Sequence, residues 1–255
     1  MMKTAAVSMV VASGAAIAAP QYDANVTGDV IFGDGNANGG FTVNQDNGLE
    51  LGLRAKVRFD GSNQPQNIFN SNGDGSYTFQ AGLPPTGFGF APNSTSTATW
   101  NFEWSVNSDF EGTSGEVLSD YSYMLKIDFD PGSGTNFLAF DPISQTLADH
   151  AIGTNSTGNG DGDTAADAAE YASLIGSNNI AQNSWNMEFF DDAGSGFPFD
   201  GRLAGEYEIV LEAYNAEGDL VVENSITINV VAVPLPAASA MAGLGLIAMG
   251  TRRRR

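Results

Sequence analysis

The stretch Leu49–Phe59, LELGLRAKVRF, alternates apolar and polar residues along its whole length. Side chains two residues apart point to the same side of a β-strand, so its leucines share one face with Ala55 and Val57. The opposite face carries Glu50, Gly52, Arg54, Lys56 and Arg58. The pattern predicts a strand with its apolar face on a core and its polar face in solvent.

Similar alternation recurs in the rest of the chain. It is present over Ala98–Val106 and Tyr121–Phe129, and again in a terminal hairpin. That hairpin joins Tyr207–Ala213 to Leu220–Val230 through a loop at Asn215–Asp219. Many short alternating segments separated by Gly/Asn/Asp turns predict an all-β, antiparallel β-sandwich, Ig-like or jelly-roll-like.

Two local features refine this prediction. The segment Leu203–Tyr207 is similar to the tyrosine corner of Ig-like sandwiches, although a packed Tyr without that hydrogen bond explains it equally well. One Ala-rich segment, Thr164–Ile175, predicts the single short helix, carried by an insertion or long loop over residues 147–183.

Charge is distributed very unevenly along the 255 residues. Five of the ten basic residues lie at the two ends, so the body keeps five against all 30 Asp and Glu. The five are Arg54, Lys56, Arg58, Lys126 and Arg202. Such an acidic surface repels phosphates and excludes nucleic acid as a partner. Cys is absent, so no disulfide stabilises the fold.

The N-terminal residues 1–18 have the pattern of a cleavable secretory signal. Lys3 precedes an apolar, Ala-rich run, and Ala16 and Ala18 occupy the small-residue positions of a cleavage site. We expect export through the Sec translocon and cleavage after Ala18; a helix that is not cleaved is the alternative. The mature body then covers residues 19–232.

The C-terminal residues 233–255 have three parts. Val233, Pro234, Leu235, Pro236 and Ala237 form a Pro-x-Pro motif, and residues 237–250 carry no charge. Arg252, Arg253, Arg254 and Arg255 end the chain. Fourteen residues make a helix of about 21 Å, short of the ~30 Å hydrocarbon core, so this segment suits a temporary membrane hold. The arginines keep their end cytoplasmic.

This tail resembles the PEP-CTERM class of sorting signals in its VPLPA variant, with Leu235 in place of the usual Glu. The resemblance implies an exosortase as partner, transient holding in the inner membrane of a Gram-negative bacterium that makes exopolysaccharide, and cleavage near Pro234–Ala237. It implies release or attachment at the cell surface. An ordinary C-terminal membrane anchor is the alternative. Mid-body phrases such as Asp128–Gly132 are similar to uncharacterised proteins with the same tail, which supplies no activity.

One group of polar residues fits part of an EF-hand loop. Asn159, Asp161, Asp163, Asp167 and Glu170 fall at loop positions 1, 3, 5, 9 and 12 of that template. Thr164 replaces the Gly of the sharp turn, and ordinary turn formation by Asn, Asp and Gly explains the same residues. Ca²⁺ is the one cofactor that the sequence suggests; otherwise we expect none.

Residues for catalysis are few. His150 is the only His, and with Asp149 beside it could serve a Ser hydrolase only if a Ser lay nearby. The chain has no G-x-S-x-G and no H-E-x-x-H motif. Trp100, Trp104 and Trp185 suggest a sugar-stacking platform, but Trp100 and Trp104 lie on the apolar side of their strand, which favours the core.

The sequence thus predicts an exported envelope or matrix protein with a structural or interaction role, which is not an enzyme and is linked to exopolysaccharide or biofilm. The first alternative is a Ca²⁺-assisted carbohydrate-binding module with a polysaccharide partner. The second is a secreted hydrolase.

Overall fold

The computed structural model describes residues 19–60, 62, 66–84, 94–144, 149–191 and 198–233. The predicted signal, with Ala16 and Ala18, and the tail from Pro234 to Arg255 lie outside the described residues. Within the described ranges, no helix is both long and apolar enough to cross a bilayer.

Eleven strands in the described residues form two sheets. The six-stranded sheet contains β1 (Gln21–Ala24), β2 (Phe41–Asp46), β3 (Leu49–Val57), β5 (Trp100–Asn107), β8 (Ala151–Gly153) and β9 (Ile180–Trp185), in the order β1-β2-β3-β5-β9-β8. The five-stranded sheet contains β4 (Ser76–Gln80), β6 (Ser122–Asp128), β7 (Phe137–Phe140), β10 (Gly205–Tyr214) and β11 (Leu220–Val231), in the order β4-β11-β10-β6-β7. One α-helix, α1 (Ala168–Ile175), and two 3-10 turns, Leu118–Asp120 and Met187–Phe189, complete the elements.

The two sheets pack face to face over one hydrophobic core, which confirms the all-β sandwich. Leu51 and Leu53 of β3, Trp104 of β5 and Leu211 of β10 are fully buried in it. Asn224 of β11 ties the layers together, because its amide donates to the carbonyls of Thr42 (2.7 Å) and Leu51 (2.9 Å). The antiparallel prediction fails for one pair, since β4 runs parallel to β11.

The terminal hairpin lies where the sequence predicts it. β10 pairs antiparallel with β11, and the amide of Asn215 donates to the carbonyl of Asp219 at 3.0 Å to close the loop. Tyr207 is buried against Trp100 and Phe199, with ring centroids 6.1 and 5.4 Å apart. No hydrogen bond of its hydroxyl occurs in the described residues, so the packed Tyr replaces the tyrosine corner.

The helix is shorter than predicted and the insertion is not peripheral. α1 begins at Ala168 because the Asp167 carboxylate accepts from the amides of Ala169 and Glu170, both at 2.9 Å, and so caps the N-terminus. Residues 180–185 form β9, which pairs with β5 inside the six-stranded sheet. The end of the predicted insertion therefore belongs to the sandwich.

The polar face of β3 is buried, contrary to the prediction that it faces solvent. Glu50, Arg54 and Lys56 are 1, 0 and 4% exposed, and Glu103 on the neighbouring strand is 0% exposed. The segment Asn25–Gly40, between β1 and β2, lies over this outer face, and we call it the covering loop. Val26 of the loop contacts the sheet at Gly52, where a Cβ would lie 2.4 Å from the Val26 Cγ1.

Candidate functional site

The covering loop is fixed to the sheet by hydrogen bonds from buried strand side chains. Glu50 accepts from the amide and hydroxyl of Thr27 at 2.6 and 2.7 Å. Gln182 on β9 accepts from the amide of Ile31 at 2.9 Å. The Arg54 guanidinium donates to the carbonyls of Ala37 (2.8 Å) and Gly39 (2.6 Å). Buried polar groups need such partners, and here the strand side chains and the loop backbone supply them to each other.

Two asparagines fix the tip of the loop from either side. The Asn159 amide group donates to the carbonyls of Val30 (3.1 Å) and Asn36 (2.5 Å), and its oxygen accepts from the amide of Gly35 (3.0 Å). Asn67 donates to the carbonyl of Gly35 (3.0 Å) and accepts from the amide of Ala37 (3.2 Å). The tip is thereby positioned above β3.

A buried charge cluster lies beneath this tip. Arg54 on β3 is directly opposite Glu103 on β5, and its Nε lies 2.5 Å from the Glu103 Oε2. The Lys56 Nζ lies 2.7 Å from the Oε1 of the same carboxylate and also bonds to Asn36. Burial lowers the pKa of both cations, and Glu103 opposes that effect. One buried carboxylate is therefore shared by two cations.

Arg58, directly after the last residue of β3, adds a third cation two residues beyond Lys56. Its guanidinium lies 4.9 Å from the Phe59 ring centroid, and burial lowers its pKa, although an arginine stays protonated at neutral pH. Among the described residues it forms no ion pair within 4.0 Å and no side-chain hydrogen bond. The carboxylates of Glu103 and Glu188 oppose the effect of burial on this pKa, but neither lies within 4.0 Å of the guanidinium, so its planar set of donors can bind a ligand.

Lys56 and Arg58 line a cavity of about 390 Å³, which we call the polar pocket. The rest of its wall provides the Phe32 ring, the Asp34 carboxylate, the Ser184 hydroxyl, the backbone of Gly33 and Gly35, and the amide side chains of Asn36, Gln66, Asn67 and Asn101. The volume is in the lower part of the range of small-molecule sites. The arrangement can hold a small polar anion by charge and hydrogen bonds.

A larger cavity, of about 740 Å³, lies beside β11 and has the opposite character. It is lined by the carboxylates of Asp74, Glu206 and Glu223, and no Lys or Arg is among its lining residues. This cavity is therefore part of the acidic surface, and none of the side chains that line it carries a positive charge. The polar pocket is therefore the better candidate for a binding site.

His150 lies in the core. It is 0% exposed, and its Nε2 lies 2.7 Å from the carbonyl oxygen of Pro142. Its Nδ1 lies 3.1 Å from the side-chain amide nitrogen of Asn183. Burial lowers its pKa, so the ring is neutral. Both ring nitrogens have partners, and neither partner is a Ser hydroxyl. In the described residues, the condition for a Ser hydrolase, a Ser hydroxyl bonded to His150, is therefore not met.

The three tryptophans also belong to the core. Trp100 and Trp104 are 1 and 0% exposed, and Trp185 packs against Trp104 with centroids 5.3 Å apart. The core interpretation of these residues is confirmed. None of them lines the polar pocket.

The five residues of the calcium hypothesis have separate roles. Asn159 holds the covering loop, Asp163 pairs through its backbone with Ile152, and Asp167 caps α1. Glu170 accepts from the amide of Ala166 at 2.7 Å, and Asp161 is exposed. In the part of the chain that the structure describes, no group of three or more acidic, His or Cys side chains could hold a metal. The calcium hypothesis gains no support and stays a prediction.

Comparisons with known proteins supply no relative. No family model, curated protein or solved structure matches the chain. The polar pocket is therefore interpreted from its own chemistry.

The sequence interpretation missed this pocket, although a signal for it exists. Three of the five body cations, Arg54, Lys56 and Arg58, are spaced two apart on one strand face. Like charges on one face of a strand repel each other unless acidic or polar groups lie between them. The covering loop was harder to find, because its Gly33–Asn36 tip has the composition of an ordinary turn.

Proposed function

We propose that this chain is an exported cell-envelope protein that an exosortase sorts through its C-terminal tail, and that the sandwich acts outside the inner membrane as a structural or interaction module. The observation that carries the proposal is the order of the three parts: a signal over residues 1–18, a folded body, and a VPLPA tail. The last strand, β11, ends at Val231, and Val233 is 53% exposed. The motif therefore begins where the sandwich ends, within reach of a processing enzyme.

An interaction role fits the body better than hydrolysis. His150 makes only core contacts, and the Trp side chains are packed between the sheets. The open polar groups are concentrated in the polar pocket and on an acidic surface, which suits binding.

Mass spectrometry of the mature protein from an exosortase-positive host tests the sorting proposal. We expect the N-terminus at Ala19 and a C-terminus within Pro234–Ala237, and an intact tail in a strain without the exosortase. A double variant, Pro234→Ala with Pro236→Ala, should keep its tail in both strains, whereas Pro198→Ala in the body should be processed normally. Recovery of unprocessed wild-type protein from the cytosol, or an intact tail in the exosortase-positive strain, would contradict the proposal.

Carbohydrate binding is the second candidate function, and the polar pocket favours it. Its amides, hydroxyl and half-buried ring are groups that bind sugars, and they surround two cations rather than a metal site.

A further inference from the structure

We propose that the polar pocket binds the carboxylate of an acidic saccharide, a uronate, through Arg58 and Lys56. This inference names a ligand for the interaction module of the proposed function and so rests on it, but binding is measured on the purified chain whatever its sorting. Three features of the pocket support the inference: its charge, its hydrogen-bonding groups and its setting.

The charge of the pocket calls for an anion. Lys56 is 4% exposed and shares the Glu103 carboxylate with Arg54, so one carboxylate faces two buried cations. Arg58 has no ion pair in the described residues. A planar guanidinium matches a carboxylate through two parallel N–H···O bonds, which gives both strength and direction. The carboxylates of Glu103 and Glu188 act on Arg58 from a distance, and Asp34 is on the pocket wall, so a bound carboxylate would be the direct ionic partner that Arg58 lacks within 4.0 Å among the described residues.

The remaining groups suit a ligand with many hydroxyls. Asn36 and Asn101 already have internal partners, since Asn36 accepts from Lys56 and Asn101 donates to Ser184 at 3.0 Å. Asn67 is exposed and Gln66 and Ser184 are partly exposed, but they too have internal partners: Asn67 bonds to the covering loop, Gln66 donates to Asp60 and Ser184 accepts from Asn101. A ligand would use the donor and acceptor positions that these bonds leave. Phe32 adds an apolar surface beside them. Precisely placed polar groups around an apolar patch are typical of small-molecule sites.

The acidic surroundings of the pocket favour a singly charged ligand group over a doubly charged phosphate. Asp34 lies on the same wall as the two cations, and the body carries 30 acidic residues against five basic ones outside the two ends. That field repels a dianion more strongly than a monoanion. A uronate places its charge on a planar carboxylate that the Arg58 guanidinium can bind through two hydrogen bonds, and the cavity of about 390 Å³ accommodates about one or two sugar units.

Titration calorimetry of the full chain in mild detergent tests the inference. The probes are a galacturonate trimer, the same trimer with its carboxyl groups reduced to alcohols, and inorganic phosphate as a competitor. We expect binding of the galacturonate trimer, binding at least about tenfold weaker for the reduced trimer, and no displacement by equimolar phosphate.

Arg58→Gln removes the proposed carboxylate partner, and Arg202→Gln is its matched control. The Arg202→Gln change removes the same charge, but Arg202 is a surface residue that is paired with Asp200 and lies outside the pocket. We expect Arg58→Gln to weaken trimer binding at least about tenfold and Arg202→Gln to leave it within about twofold. Arg58→Lys keeps the charge without the planar fork, so its binding should be intermediate. It also keeps the test valid if Arg58→Gln misfolds.

Three results would overturn the inference: no trimer binding at millimolar concentration, equal binding of the reduced trimer, or full displacement by phosphate. An equal loss in Arg58→Gln and Arg202→Gln would also overturn it, since a general field effect would then explain the binding. If the trimer does not bind but the tail is processed normally, the ligand proposal is wrong and the sorting proposal stands. If the trimer binds but the tail is not processed, the sorting proposal is wrong and the ligand proposal stands.

Discussion

The outer faces of the two sheets have the same alternating sequence pattern and opposite environments. On β11, Glu223 and Ser225 are exposed and alternate with buried residues, and the face is open and acidic. On β3 the corresponding polar positions are buried beneath the covering loop. A period of two therefore fixes which side chains share a face of a strand, but not which face meets water.

The difference concentrates the basic residues on one side of the molecule. The open face spreads acidic charge into solvent, with Lys126 pairing to Glu212 there. The covered face gathers three of the five body cations near the buried Glu103 carboxylate, which two of them share, and leaves a pocket beside them. Substitutions on the two faces should therefore change the free energy of unfolding by different amounts, and one of them should increase it.

The largest effect is expected at Glu103. The change Glu103→Gln leaves Arg54 and Lys56 buried without a counter-charge, so we expect a loss of about 3–5 kcal/mol in the free energy of unfolding. Urea denaturation measures it. The exposed Glu206→Gln on the open face is the control and should stay within about 0.5 kcal/mol. Similar losses in the two variants would contradict the difference between the faces.

The next effect tests the contact between loop and sheet. In Gly52→Ala the new Cβ would lie 2.4 Å from the Val26 Cγ1, so the covering loop must shift, and we expect a loss of about 1–3 kcal/mol. Gly82→Ala adds a methyl group where no atom lies within 4 Å and should be close to neutral. If thermal or urea unfolding shows no difference between the two variants, the loop does not pack on Gly52.

A smaller effect concerns acid stability and arises in the core between the faces. Burial lowers the pKa of His150 in the folded protein, with Asp149 and Tyr171 as its titratable neighbours, whereas the unfolded chain keeps a value of about 6.5. Below that pH the unfolded state binds a proton that the folded state does not, so stability falls as the pH falls. Between pH 7.5 and 5.5 the wild type should lose about 1 kcal/mol more than His150→Gln.

Urea denaturation at several pH values measures this loss. The carboxylates of the open face titrate in both proteins, so the difference between them isolates His150. Parallel pH profiles would show that His150 has the same pKa in the folded and unfolded states and would contradict the lowering by burial.

The smallest effect has the opposite sign and tests the open face. The exposed Glu223 is directly opposite Glu212, which is 4% exposed and paired with Lys126, so only a weak repulsion between the two carboxylates remains to destabilise the sheet. Glu223→Gln should raise the free energy of unfolding by up to about 0.5 kcal/mol at low salt. The gain should shrink at high ionic strength because salt screens exposed charges. A loss of stability, or a gain that salt does not alter, would contradict this account.

The predictability of the fold follows from how local its signals are. The β10–β11 hairpin could be predicted because alternation and a five-residue loop, Asn215–Asp219, lie next to each other in sequence. The strands β3 and β5 could be predicted for the same reason. The parallel pairing of β4 with β11 joins residues 76–80 to residues 227–231, and no local pattern encodes that pairing.

The site could not be predicted because it is assembled from distant segments. Lys56 of β3 and Arg58, just after that strand, meet Asn36 and Phe32 of the covering loop and Ser184 of β9 only in the folded chain. The Glu50–Thr27 and Gln182–Ile31 hydrogen bonds that hold the loop link polar residues to backbone groups, and such bonds leave no hydrophobic periodicity in the sequence.

Hydrogen exchange of the full chain, with and without the galacturonate trimer, tests the central claim most directly, because it reports which outer face the saccharide contacts. The account predicts slower exchange in residues 32–36 and 66–67 around the polar pocket, with residues 220–227 of the open face unchanged. Slower exchange along the open face, or an unchanged pocket under conditions where the trimer binds, would contradict it.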